Sequence, residues 1–445
     1  MVPSVWISQV RVKFCDIIKI SFVFIMFFLS VQCSNNVTQN KEQQLQNPDF
    51  SHRTLDGTYP FWGITNNAQL STEQKLQDFD FLYQTLEENY PFFGVSERQF
   101  NNDWLSKKSE YEKRIKNTPD DSTFLITLSS IIQELRCPHL SSISFRHEMM
   151  LDVYRRATNE QPKYAKWVEV LEKSAPQSIH WEKIWENATG YSKQTQQTQQ
   201  KQMQENFYSD SLLHNDKIGI MRIKSFLYDN LANDSIQIIS FLKIIQDYNC
   251  LIIDIQDNGG GSSNYWKNYI VGKISDTSII FPRNQVAKKG SLNKHFFSEI
   301  EQWEIVSKQN AVFPNVPDEL LDGTYLINSL TDTVMPNNPI PFKGKIYVLV
   351  NHMVVSASDD FAYFCKVSKW ATVAGVQTMG EGGGGEPTLF MLPNSGITFR
   401  HPSIVGLNED GSFNFETRTI PNIEINANNS DERLERLINY IKQKE

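Results

Sequence analysis

Three short segments hold residue types that could do chemistry. The first is Asp254-Ile255-Gln256-Asp257-Asn258-Gly259-Gly260-Gly261-Ser262-Ser263, directly after an apolar run. A strand that runs into three glycines and then a helix exposes backbone N–H groups at the helix's positive end. Such a turn can bind a phosphate or stabilise an oxyanion. It is not a Walker loop, because no Gly-Lys-Ser/Thr follows, and it lacks the dinucleotide spacing. The same glycines also suit a plain tight turn that needs positive φ. The second segment is Val354-Val355-Ser356-Ala357-Ser358-Asp359-Asp360-Phe361. A serine at a strand–helix junction exposes its hydroxyl at the carboxyl edge of a sheet, where the N–H of Ala357 can point at an adduct. Ser356 would equally serve as an N-cap. The third is Cys137-Pro138-His139. A histidine can act as a general base near neutral pH, although one that follows a helix is often structural.

The elements that must position these residues are legible as periodicities. Ser71 and Gln74 form a capping-box pattern ahead of a helix whose stripe is Leu76, Phe79, Leu82, Leu86 and Tyr90, and Pro91 stops it. A second helix should follow Asp120-Asp121, with Phe124, Leu125, Leu128, Ile131, Ile132 and Leu135 inward, and end before Cys137. Residues 150–215 are polar and helical in tendency, with a glutamine-rich stretch at 194–204. From about Lys217 short apolar runs alternate with amphipathic stretches. Strands are expected at 218–223, 250–255, 345–350 and 371–375, and helices at 234–247, 357–367 and 430–442. Near-continuous apolar runs such as Cys250–Ile255 suit strands covered on both faces, so this half reads as an α/β domain with a mostly parallel sheet.

Length and composition bound the rest. The chain has 445 residues, 40% hydrophobic and 12% aromatic, which excludes a mainly disordered or fibrous chain. Lys and Arg number 43 against 51 Asp and Glu, a formal charge of −8. Nucleic-acid binding through phosphate contacts is therefore not expected. Arg11, Lys13 and Lys19 lie before or within the start of a 12-residue apolar run over 20–31, interrupted only by Ser21 and Ser30. That length suits an export signal and is short for a membrane span. Cys33 follows Leu29-Ser30-Val31-Gln32, which looks like a lipoprotein cleavage box with Gln32 in place of a small residue. The expected layout is a signal over 1–32, a flexible tether over 33–70, a helical cap over 71–215 and an α/β domain over 216–445. The chain would be exported to the cell envelope and touch a membrane only through the signal or a lipid on Cys33. Cys137, Cys250 and Cys365 have no metal-type spacing, so neither a disulfide framework nor a metal site is expected.

In order, the chain carries Ile218-Gly219-Ile220-Met221-Arg222-Ile223, Leu251-Ile252-Ile253-Asp254 through Gly261, Tyr347-Val348-Leu349-Val350-Asn351 with Ser356 through Ala362, Ala371-Thr372-Val373-Ala374-Gly375, and Pro421-Asn422-Ile423-Glu424-Ile425. This set resembles the tail-specific (C-terminal-processing) serine peptidases, in their tricorn-core-like and retinoid-binding-protein-like branch, over about residues 70–440. The resemblance implies a crotonase-like, Clp-protease-like spiral of ββα units preceded by a mostly helical region. It implies Ser356 as nucleophile and an oxyanion hole from Ala357 N–H with Gly259 or Gly260. The branch with a serine–lysine dyad has lysine 25 positions after the nucleophile. That position is Glu381 here, so the dyad is not available, and Glu381 is expected to influence substrate binding more than the chemical step. The tricorn-like branch uses a histidine and a distant glutamate, which match His139 and Glu416. Gln256 replaces the family's arginine in the glycine-rich string, Pro138 replaces a serine beside the histidine, and no PDZ insert lies between His139 and Ile218.

The resemblance thus implies a serine peptidase acting on unfolded proteins or peptides at the cell envelope, without a cofactor. Two other readings stay open. One is a catalytically silent protein that binds peptides or apolar ligands in the same groove, against which stands the retention of Ser356 and His139. The other is a crotonase-like acyl-CoA enzyme, which the export signal disfavours because acyl-CoA is cytosolic.

Overall fold

The computed structural model describes residues 69–190, 207–227 and 230–444. The signal over 1–32, Cys33, the tether up to residue 68 and the glutamine-rich stretch lie outside the described residues.

The first helix, α1 (Thr72–Asn89), starts where its cap residues require it. Ser71 Oγ accepts the N–H of Gln74 at 3.2 Å, and Gln74 Oε1 accepts the N–H of Ser71 at 2.9 Å. The helix stops at Tyr90, before Pro91. Helices α2 (Phe93–Phe100), α3 (Lys108–Lys116) and α4 (Asp121–Gln133) follow. The side chain of Asp120 caps α4 by accepting the N–H of Thr123 at 2.7 Å. The polar segment beyond His139 forms α5 (His147–Glu160) and α6 (Ala165–Thr189).

Strands group into three sheets. A three-stranded antiparallel sheet has the order β1 (Ser141–Ser142), β11 (Thr398–His401), β10 (Thr388–Met391). The six-stranded sheet has the order β13 (Ile423–Glu424), β9 (Thr372–Gly375), β8 (Lys345–Val350), β4 (Cys250–Asp254), β3 (Ile218–Ile223), β2 (Tyr208–Leu213). All its neighbours pair parallel except β2 with β3. Every residue of β4 is buried, which is why its sequence does not alternate. Crossovers run through α7 (Leu231–Ile244) and α8 (Ala357–Ser368), and α9 (Ser430–Lys444) closes the chain. A four-stranded antiparallel sheet, order β12 (Ile404–Leu407), β5 (Ile279–Lys288), β7 (Tyr325–Val334), β6 (Glu304–Ile305), was not foreseen.

The core does not divide near residue 216. One apolar cluster joins Phe79, Leu82, Leu86, Phe124 and Trp167 of the helices to Val286, Phe399 and Phe413 of the later strands. Phe92 packs edge-on against Phe413 at 5.4 Å, and Trp167 Nε1 and Trp181 Nε1 each donate at 2.7 Å to the carbonyls of Pro387 and Ser395. The described residues all fall within a single compact unit. The N-terminal helices therefore cover the antiparallel sheets, and this carries His139 toward the parallel sheet. Among the described residues no helix is long and apolar enough to cross a membrane.

Candidate active site

Ser356 stands between β8 and α8 with φ +62° and ψ −128°. This is a conformation L-residues avoid, and the surroundings must hold it. The N–H of Ser356 donates to Gly380 O at 3.1 Å. Ser358 Oγ accepts the N–H of Val355 at 3.1 Å and lies 2.6 Å from Asn258 O, tying the serine turn to the glycine turn. Gly260 has φ +90°, and a Cβ there would stand 2.9 Å from Ser356 Cβ and 2.8 Å from Val355 O. Only glycine allows this approach.

The three N–H groups proposed for the oxyanion hole are not equivalent. That of Gly260 donates to Asn258 Oδ1 at 2.9 Å and is turned into the loop. Those of Gly259 and Ala357 have no acceptor among the described residues. Gly260 thus supplies the close packing, while Gly259 and Ala357 hold the free donors.

Asp359, in the first turn of α8, fastens the opposite wall. Its Oδ1 accepts Thr378 Oγ1–H at 2.5 Å and its Oδ2 accepts Gly382 N–H at 3.1 Å. Complete burial pushes its carboxyl up to about 6, against the hydrogen bonds that favour the charged form. Between Gly380 and Gly382 the loop presents Glu381, itself at φ +63°. The Glu381 side chain is 3% exposed, and its Oε2 lies 2.5 Å from His139 Nδ1. No aligned hydrogen bond reaches that oxygen among the described residues. Its Oε1 accepts the thiol of Cys137 at 2.9 Å. Burial, and then the charge of Glu381, push the Cys137 thiol well up.

Glu416, assigned by resemblance as the carboxylate partner of His139, is engaged elsewhere. Arg98 of α2 grips it with a planar fork, Nε to Oε1 at 2.8 Å and Nη2 to Oε2 at 2.6 Å, and also holds Glu319 at 2.7 Å. The carboxylate beside the imidazole is Glu381. In the sequence Glu381 stands where a lysine base would sit and is expected to act on substrate binding, not as the partner of His139.

The departure at Gln256 also has a local answer. Gln256 is buried, and its Oε1 accepts Arg433 Nη1–H of α9 at 2.8 Å while its Nε2 donates to Ser430 O at 2.9 Å. Ser430 Oγ and Asn351 Nδ2 donate to Asp257 at 3.0 and 2.7 Å, and Arg222 joins Asp254 to Asp431, both at 2.9 Å. The N-terminus of α9 thereby clamps the turn that leads into Gly259. Among the described residues no group of three or more His, Cys, Asp or Glu is arranged to hold a metal.

Residues 217–425 match the model of peptidase family S41. No curated protein matches the chain. Among solved structures it is similar to mature CPAF complexed with lactacystin, at 14% identity and a TM-score of 0.52 over 84% of this chain and 97% of that one. It is also similar to a candidate peptidase from Parabacteroides merdae, at 18% identity and a TM-score of 0.50 over the same shares. At these identities the likeness speaks for the fold alone, a mixed α/β fold with a helical N-terminal region.

Proposed function

We propose that the chain hydrolyses peptide bonds in unfolded proteins or peptides at the cell envelope, with Ser356 as nucleophile, His139 as base and Glu381 positioning the base. The observation that carries the reading is the joint contact of the 380–381 loop, through Gly380 O to Ser356 N–H and through Glu381 to His139 Nδ1. With Nδ1 turned to the carboxylate, Nε2 is the nitrogen that accepts a proton. Ser356 Oγ attacks the scissile carbonyl carbon as its proton passes to His139. The oxyanion is met by the N–H groups of Ala357 and Gly259. The imidazolium then protonates the leaving amine, and water, deprotonated by His139, hydrolyses the acyl-enzyme.

A fluorophosphonate probe tests this. It should label the intact protein and not Ser356→Ala, and peptide cleavage should vanish with the label. An intact chain that takes no label and cleaves nothing would favour the silent binding protein. The envelope setting rests on the signal-like run and Cys33. The mature chain should begin at a lipidated Cys33 and partition into detergent. Mass spectrometry finding an unmodified N-terminus elsewhere overturns that part.

A further inference from the structure

Arg418 follows a short helical turn, Asn414–Thr417, and has φ +60° and ψ −177°. Its N–H donates to Asn414 O at 2.7 Å and its carbonyl accepts Asn408 Nδ2–H at 3.2 Å, so the strained backbone is held from both sides. The side-chain stem lies against the active-site loop, where a Cβ on Gly380 would stand 3.4 Å from Arg418 Cγ. Gly380 O is the group that takes the N–H of Ser356.

The guanidinium is left without a partner. Arg418 Nε is buried and has no hydrogen bond among the described residues, and the group makes no ion pair among them. The other arginines near the site are engaged: Arg98 by Glu416, Arg222 by Asp254, Arg283 by Asp360 and Arg433 by Gln256. A buried donor with no acceptor is costly to the fold, so it marks a place where an acceptor is to arrive. His352, just past β8, stands in the same field. Its pKa is held below the ordinary value by partial burial and then by Arg433 and Arg418, against Asp257. Asp257 is itself occupied by Asn351 and Ser430. Arg418 thus lies against the loop whose carbonyl meets Ser356, in a chain of net charge −8. The location is the carboxyl edge of β8 and β9, the side on which open parallel sheets receive ligands.

We propose that Arg418 forms a subsite for a carboxylate of the peptide substrate. This deepens the peptidase reading and rests on it. The fork of an arginine fits a carboxylate with two parallel hydrogen bonds, a geometry lysine does not offer. The carboxylate has two possible sources, an Asp or Glu side chain near the scissile bond or the free end of the peptide.

The test uses the full chain carrying Ser356→Ala, so that binding is read without cleavage. Dissociation constants are measured for short labelled peptides in which a Glu/Gln pair is stepped along the sequence, each made as the free acid and as the amide. At one position the Glu form should bind roughly tenfold tighter than the Gln form, as one charge-assisted contact provides. Adding Arg418→Gln should bring that ratio close to one, and Arg418→Lys should keep part of it. If the acid-to-amide ratio responds instead, the chain end is the source. Ratios near one throughout, or ratios that survive Arg418→Gln, overturn the proposal. Failure of the peptidase reading registers separately, as an intact chain that takes no fluorophosphonate label.

Discussion

At the scale of single residues the question is which carboxylate serves His139. A general base is useful only in the right tautomer and orientation, and the group on Nδ1 fixes both. Glu381 is 2.5 Å from that nitrogen and nearly inaccessible, whereas Glu416 is spent on Arg98. Glu381→Gln should therefore lower kcat by a factor of ~10² or more, and His139→Ala by ~10³ or more, comparable to Ser356→Ala because triad members act as a unit. Glu416→Gln should leave kcat nearly unchanged and cost no more than about 1 kcal/mol of stability, the scale of a partly exposed ion pair. Steady-state kinetics with denaturant unfolding on these four variants decides it. Equal losses of kcat in the two glutamate variants would return the role to Glu416. Ser356 and the glycines stand out in the sequence at strand–helix junctions, while His139 comes forward only through the family resemblance. The partner of His139 does neither, since the Cys137–Glu381 contact spans 244 positions and the Arg98–Glu416 contact 318. No local pattern encodes such pairings.

At the scale of elements, α9 is tied to the glycine turn proposed as part of the oxyanion hole. The family string has an arginine where this chain has Gln256, and a guanidinium reaches the same spot from Arg433. Arg433 is buried, with its Nε on Ile425 O at 3.0 Å, so it also closes the connection from β13 to α9. Loss of this clamp would let the turn before Gly259 shift by a fraction of an ångström. That matters for a donor that acts only on the transition state. Arg433→Ala should lower kcat by a factor of ~10 to 100 with little change in KM. The exchange Gln256→Arg with Arg433→Gln should recover part of it. A merely structural role would instead lower the melting temperature and leave kcat of the folded fraction intact. The same scale shows which elements the sequence reveals. Parallel strands β3, β4 and β8 are buried on both faces and read as apolar runs. Strand β5 mixes Pro282, Arg283, Asn284 and Gln285 into its middle, because Arg283 reaches Asp360 and Gln285 reaches Gly383 O. Residues recruited for such contacts erase the alternation that would have announced the antiparallel sheet.

At the scale of the whole molecule, the helices and the antiparallel strands share one core, and His401 of β11 lies inside it, fully buried. Its Nδ1 lies 2.8 Å from Pro402 O and its Nε2 2.8 Å from Thr388 Oγ1, an arrangement that suits the neutral ring. Burial drives its pKa from 6.5 down to about 4, against the pull of the Pro402 carbonyl. Between those values the unfolded chain binds a proton that the folded chain refuses, so the unfolded state gains as pH falls. The stability His401 contributes is complete above pH 6.5 and is lost progressively down to about pH 4, roughly 3 kcal/mol in all. Asp78 and Asp359 act in the opposite sense. Burial lifts both to about 6, so between the ordinary carboxylate pKa and about 6 they favour the folded state more as pH falls. The total acid response is thus a partial cancellation, and the share of His401 has to be read as a difference. His401→Gln keeps a polar side chain next to Thr388 and removes the titration, while the two aspartates remain in both proteins. Denaturant unfolding of the wild type and of His401→Gln should show a stability gap that is largest near pH 7 and shrinks by roughly 3 kcal/mol toward pH 4. A gap that stays constant across that window would mean that His401 accepts its proton in the folded core.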